Sequence, residues 1–210
     1  MRRRRRTLGI TVDADGLKVS APLRAPWRDI EGFVREKERW ILAKLDEWSR
    51  APRPALLQGA PGERLALFGE PVALERHPGP VRREPNRVVF DTIANLVAWL
   101  KCAALRALRP RAAHFAAQLG RPAPSVRLSN ARTQWGACNE DGAIRLSWRL
   151  VHVEPALADY VVAHEVAHLV ELNHSARFYR VIDLLYPHWP AARERLELAG
   201  AALPLLKETR

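Results

Sequence analysis

Residues 164–174 read His164-Glu165-Val166-Ala167-His168-Leu169-Val170-Glu171-Leu172-Asn173-His174. The first five form an H-E-x-x-H motif, and a third histidine lies within reach of the first two. On a helix, residues four apart sit one above the other, so His164 and His168 can present both imidazoles to one metal ion. Glu165 lies about 100° further round the helix. That places it beside a metal rather than on it, where a carboxylate can take a proton from water. Three protein ligands leave the fourth tetrahedral position of zinc open, which is the mark of a catalytic rather than a structural site. The expected cofactor is therefore Zn2+, with His164, His168 and His174 as ligands and Glu165 as the catalytic acid/base.

Outward from the motif, Pro155 suits the first turn of a helix, and Leu157, Val161, Val162, Leu169 and Leu172 give an apolar face. The motif is predicted to sit in the interior of a long amphipathic helix. Asn173-His174-Ser175 reads as a turn, with Ser175 as N-cap of the next helix. The step from His168 to His174 matches the metzincin pattern, but Glu171 replaces its turn-making glycine and Met1 is the only methionine, so no Met-turn can form. A thermolysin-like third ligand could come from Glu194 or Glu197, although His174 is much nearer in sequence.

Upstream, Val126–Ser129 and Ala143–Trp148 are predicted as a strand pair joined by the Trp135–Gly142 turn. An edge strand beside the motif helix can hold an extended peptide by backbone hydrogen bonds, and Ala143–Trp148 is the expected edge. Arg132 and Gln134 precede this strand and are candidates to steady the negative oxygen of a tetrahedral intermediate. Trp135 reads as core filler, Gly136 as a backbone requirement and Cys138 as a small buried thiol. Tyr160 and Tyr179 flank the ligands and read as packing residues. His188 reads as a surface histidine. His152-Val153-Glu154 imitates the start of a zinc-deaminase motif but lacks the P-C-x-x-C half.

The run Arg132–Trp189 resembles the YgjP-like zinc metallopeptidase family, related to the SprT-like and WLM metalloproteases. The likeness rests on "RTQWGACNEDGAIRLSWRLV" and "DYVVAHEVAHLVELNHSARFYRVIDLLYP". It extends more weakly to "VSAPLRAPWRDIEGFVREKERWILAKL" near the start. Ala137 stands for the family's usual serine and Tyr179 for its usual tryptophan. The resemblance implies the same three ligands and the same glutamate, and an α+β fold. In that fold a zincin-like unit sets the motif helix beside a small antiparallel sheet, with a β-rich N-terminal unit before it.

A pass along the chain divides it near residue 91, into a β-rich unit with one long helix over 1–90 and the metallopeptidase unit over 91–210. Thr7–Val12 and Leu17–Ala21 alternate as a hairpin around Asp13-Ala14-Asp15-Gly16. Pro26 opens a helix running to Arg50, which Ala51-Pro52-Arg53-Pro54 stops. Arg64–Phe68, Val72–Glu75 and Arg87–Phe90 read as short strands. Asp91 or Thr92 caps a helix that Pro110 breaks or kinks and Gly120 ends. The segment after Leu198 reads as a weakly held tail.

The chain has 210 residues, 48% of them hydrophobic, enough for one good core. No apolar run is long enough to span a membrane. The opening Arg2–Arg6 run lacks a subsequent apolar signal core, and Cys102 and Cys138 suggest no disulfide framework, so a cytoplasmic location is expected. Net charge is +11, with five charges in that opening run. The excess is carried by 29 Arg against 5 Lys. Basic chains invite nucleic-acid or nucleotide partners. The function expected is a metallopeptidase acting on a peptide or protein substrate. Hydrolysis of a nucleotide phosphoanhydride, and a nucleic-acid or protein-binding module on the same fold, are the alternatives.

Overall fold

The computed structural model describes residues 8–13, 16–50, 56–132 and 134–206. The Arg2–Arg6 run, the Ala14-Asp15 tip of the first hairpin and the Ala51-Pro52-Arg53-Pro54 stop lie outside the described residues. Two compact units emerge, residues 1–53 and 54–210. In the first, β1 (Gly9–Asp13) pairs antiparallel with β2 (Gly16–Ser20). The helix expected from Pro26 to Arg50 forms in two pieces, α1 (Trp27–Glu36) and α2 (Glu38–Arg50), parted at Lys37. Pro26 is the N-cap of α1 rather than its first residue.

The second unit begins with β3 (Leu56–Leu57) and a four-stranded sheet of β4 (Arg64–Leu67), β5 (Glu70–Arg76), β6 (Arg82–Glu84) and β7 (Arg87–Phe90). Its order is β4-β5-β7-β6, with β5 and β7 parallel. Thr92 accepts a hydrogen bond from the Asn95 amide and caps α3 (Ile93–Gln118). This helix runs through Pro110 without ending. Apolar residues from Leu96 to Ala116 bury it along its whole length, and each large one stabilises by roughly 1.5–3 kcal/mol. Several such residues outweigh the roughly 3 kcal/mol that an interior proline costs.

Next come β8 (Val126–Ser129), β9 (Gly136–Cys138) and β10 (Ile144–Ser147), and then a 3₁₀ turn at Trp148–His152. The chain continues with α4 (Pro155–Ala167), α5 (Ala176–Leu185), α6 (Trp189–Ala201) and β11 (Leu205–Leu206). The sheet order is β8-β10-β9. The expected pairing of 126–129 with 144–147 is present but parallel, so the sheet is mixed rather than antiparallel. The antiparallel partner is β9, which lies inside the expected turn. The strand expected at the edge is therefore central, and β8 and β9 are the edges.

The division expected near residue 91 falls inside the second unit. Leu65, Leu67, Val72, Leu74, Val88 and Phe90 share one buried cluster with Leu100, Leu146 and Val161. The β4–β5 turn explains why. Phe68 and Gly69 both take positive φ, as a two-residue hairpin turn demands. The Phe68 amide then donates to Val151 O at 2.6 Å. A Cβ on Gly69 would lie 2.8 Å from Glu154 Cγ, so only glycine lets the hairpin approach the start of α4. The C-terminal segment is also held. Leu205 and Leu206 pair in parallel with Leu56 and Leu57, where a loose tail was expected. Among the described residues no helix is long and apolar enough to cross a membrane.

Candidate metal centre and active site

α4 departs from the amphipathic helix that was expected. Leu157, Tyr160, Val161, Val162, Ala163, Val166 and Ala167 are all buried, so apolar contacts surround it and hold it at the centre of the unit. Pro155 does occupy its first turn. The helix stops at Ala167, and His168 is its C-cap rather than an interior residue. The amides of Val170 and Glu171 both bond back to Ala167 O, which closes the turn without a glycine. Glu171, at the metzincin glycine position, braces the connection to α5. Its Oε1 accepts from the Asn173 amide at 3.4 Å, and its Oε2 lies 4.0 Å from Arg177 Nε. Ser175 then caps α5, accepting from the Phe178 amide at 3.4 Å.

This short connection brings His174 back over the helix. His164, His168 and His174 offer ring nitrogens that all lie within 4.8 Å of one another. The Nε2 atoms of His164 and His174 are 3.0 Å apart. Two ligands at zinc–nitrogen distances of about 2.0–2.1 Å in tetrahedral geometry stand about 3.3 Å apart, so the His164–His174 pair is spaced for one ion of that size. The Nδ1 of His168 donates to Glu171 O at 3.0 Å, which leaves Nε2 with its lone pair. A ligand histidine needs that tautomer. Burial pushes the His164 imidazole down to about 4, with His168, His174 and Arg193 adding to the effect. His168 is lowered by the same cause. Rings that stay neutral keep their lone pairs available.

Beneath the three imidazoles lies Phe178, which is 1% exposed. Its ring centroid is 4.9 Å from His164, 4.6 Å from His168 and 4.7 Å from His174. It occupies the first turn of α5, so capping by Ser175 and placement of this platform are one event.

Glu165 points to the other side, toward β9, and is 6% exposed. A Cβ on Gly136 would fall 2.5 Å from both Glu165 Cγ and Oε1. The glycine expected as a backbone requirement is thus what admits the carboxylate. Burial raises Glu165 to about 7. Cys138, two residues on from Gly136, is half-buried, and burial first and Glu165 second push its thiol up to about 11. It sits on the Glu165 side, outside the histidine group.

A cavity of about 430 Å³ opens beside the cluster, lined by Tyr160, His164, His174, Phe178, Tyr179 and Arg193 among others. Arg193 comes from α6 and was not singled out by sequence reasoning. One arginine among 29 carries no signal until the helices pack. Glu194 and Glu197 stand on the same helix but do not join the histidine group. Tyr160 is buried with its ring 6.0 Å from that of His164, and Tyr179 stacks on Trp189 at 5.2 Å. Arg132 and Gln134 are exposed just before β9, and no hydrogen bond or ion pair ties either to the histidines. Trp135 packs on the core as expected, and His188 is exposed.

The family model for the YgjP-like metallopeptidase domain matches residues 6–199, nearly the whole chain. The chain belongs to the YgjP-like metallopeptidase family. Among solved structures it is similar to the metallopeptidase zymogen of Pyrococcus abyssi abylysin. Identity there is 20%, coverage is 47% of this chain and 99% of that one, and the TM-score is 0.42. No curated protein matches the chain. Membership of a metallopeptidase family implies a metal, and the three-histidine group is where this YgjP-like chain could hold one.

Proposed function

We propose that this chain is a zinc-dependent peptidase of zincin-like arrangement, with His164, His168 and His174 as ligands and Glu165 as general base. The observation that carries the reading is the convergence of three imidazoles within 4.8 Å, with a buried carboxylate on the next helical position. An all-nitrogen set of three with an open side suits zinc better than the oxygen-preferring Mg2+ or Ca2+. When bound, zinc supplies Lewis-acid polarisation of a scissile carbonyl and makes water acidic near neutral pH.

The chain's own residues do the remaining work. Glu165 takes the water proton on a carboxylate oxygen and returns it to the leaving amine. Its position against Gly136 fixes that oxygen beside the edge strand. Arg193 faces the cavity and opposes negative charge that develops there. Arg132 and Gln134 flank the entry to β9 and are proposed substrate contacts.

The edge strand supports the choice of a peptide substrate. The Ser147 amide donates to Trp135 O at 2.7 Å and the Asn139 amide to Ala143 O at 3.0 Å. Hydrogen-bonded pairs alternate along an antiparallel ladder, so Gly136 and Cys138 turn their amides and carbonyls away from β10. No other described residue engages these groups. An extended peptide can bind them directly beside Glu165. The test is to assay the zinc-loaded protein against casein, unstructured peptides and a panel of nucleoside triphosphates. Chelator-sensitive peptide cleavage is expected. Nucleotide hydrolysis with no peptide cleavage would refute the reading.

A further inference from the structure

The exposed face of the β8-β10-β9 sheet carries a cross-strand row. Arg127 on β8 is the Cα partner of Arg145 on β10, and Arg145 is the partner of Ala137 on β9. Two like charges directly opposite each other repel and destabilise a sheet. A neighbouring acid would normally relieve this. Among the described residues no side-chain hydrogen bond or ion pair engages the guanidinium of Arg127, Arg145 or the nearby Arg121. All three are exposed and line one cavity of about 740 Å³, which reaches Leu169, the residue after His168. Two acids stand on its rim. Asp141 Oδ1 is occupied by the Ala143 amide at 3.2 Å, and Glu140 lies on the β9–β10 turn.

We infer that this arginine row selects an acidic side chain in the substrate, at the residue that docks opposite Ala137. The inference rests on the peptidase reading and on the free edge of β9. Directly opposed residues in neighbouring strands share a face, so a peptide on that edge adds one more member to the row. Its side chain stands two strand spacings, about 9.6 Å, from Arg145. That gap is within the combined reach of an extended arginine and a glutamate. Ala137 between them is too small to block the path. Arg127 and Arg121 lie behind and raise the local positive potential.

A nucleic acid fits the same surface less well. No aromatic side chain lines the cavity to stack a base.

The experiment uses the zinc-loaded full chain and a positional set of Thr/Val-rich decapeptides, each carrying one Glu, Gln or Lys. A fluorescein-labelled single-stranded oligodeoxynucleotide is titrated in parallel. For Glu at one position, kcat/KM should exceed that for Gln by about tenfold, the range of a hydrogen bond to a charged group. Arg145→Gln should bring that ratio close to one, and Arg145→Glu should favour the Lys peptide instead. Equal cleavage of Glu, Gln and Lys peptides at every position would overturn the inference and leave the peptidase reading standing. Cleavage of no peptide would overturn both. A preference that survives Arg145→Glu would refute the assignment to this row. Oligonucleotide binding abolished by Arg145→Glu, without any peptide preference, would turn the row over to nucleic acid.

Discussion

His152 and His164 are held in similarly apolar surroundings, and burial drives both imidazoles down to about 4. Their partners differ. His152 is 3% exposed and donates from Nδ1 to Ala66 O at 2.7 Å, tying the 3₁₀ turn to β4. Among the described residues its buried Nε2 has no hydrogen-bond partner. His164 faces two further imidazoles and opens on a cavity. A low-lying buried histidine is thus not in itself a sign of chemistry. What separates a joint from a ligand is whether other donors converge on the free nitrogen.

Substitution should split the two sites, and the largest effect belongs to the proposed ligands. His168→Ala should drop zinc from about one per chain to near zero by elemental analysis, because two histidines leave the tetrahedral set incomplete. His152→Asn should leave zinc content unchanged. Loss of zinc from His152→Asn, with the fold intact by circular dichroism, would erase the distinction.

The next effect is on stability against pH. With a folded value of about 4 against an ordinary 6.5, His152 stays neutral in the fold while the unfolded chain binds a proton. Its contribution is complete above pH 6.5 and is lost as pH falls toward 4, by about 3 kcal/mol over that window. Asparagine keeps an N–H for Ala66 O and does not titrate in this range. Urea titrations of His152→Asn should therefore show a flatter decline in stability between pH 6.5 and 4 than the wild type.

A smaller effect is expected where Glu165 meets β9. Gly136→Ala places a methyl group on the Glu165 carboxylate, and such overpacking costs about 1–3 kcal/mol. Zinc should remain while kcat falls, since the proposed base is displaced and the proposed ligands are not. Smallest is Ser175→Ala, which removes the α5 cap at a cost of about 1 kcal/mol by thermal melting. A modest loss of zinc affinity should accompany it, because Phe178 stands on the turn that the cap fixes.

Much of the candidate metal centre was legible because its signals are local. The four-residue step of His164 and His168, the Ser175 cap and the Thr92 cap each depend on near neighbours. The end of α4 at His168 was not legible, because backbone bonds and Glu171 close that turn where a glycine was looked for. β9 was missed since Gly-Ala-Cys has little strand propensity and is placed by its partner. The parallel pairing of 126–129 with 144–147 joins segments distant in sequence, and β6 (Arg-Arg-Glu) shows no apolar alternation. Pattern predicted strands at 64–68, 72–75 and 87–90 but none at β6, and only the shared core shows that 64–90 belongs with the candidate metal centre. Arg193 likewise becomes visible only once α6 is docked.

The central claim is that Glu165 moves the proton while the histidines hold the metal. Its most direct test is peptide cleavage by wild type and Glu165→Gln at matched, measured zinc occupancy. Glutamine is nearly isosteric and cannot accept the proton at neutral pH. The variant should bind zinc as the wild type does, melt close to it, and lose about 10²–10⁴ in rate. Near-wild-type turnover by zinc-replete Glu165→Gln would contradict the account.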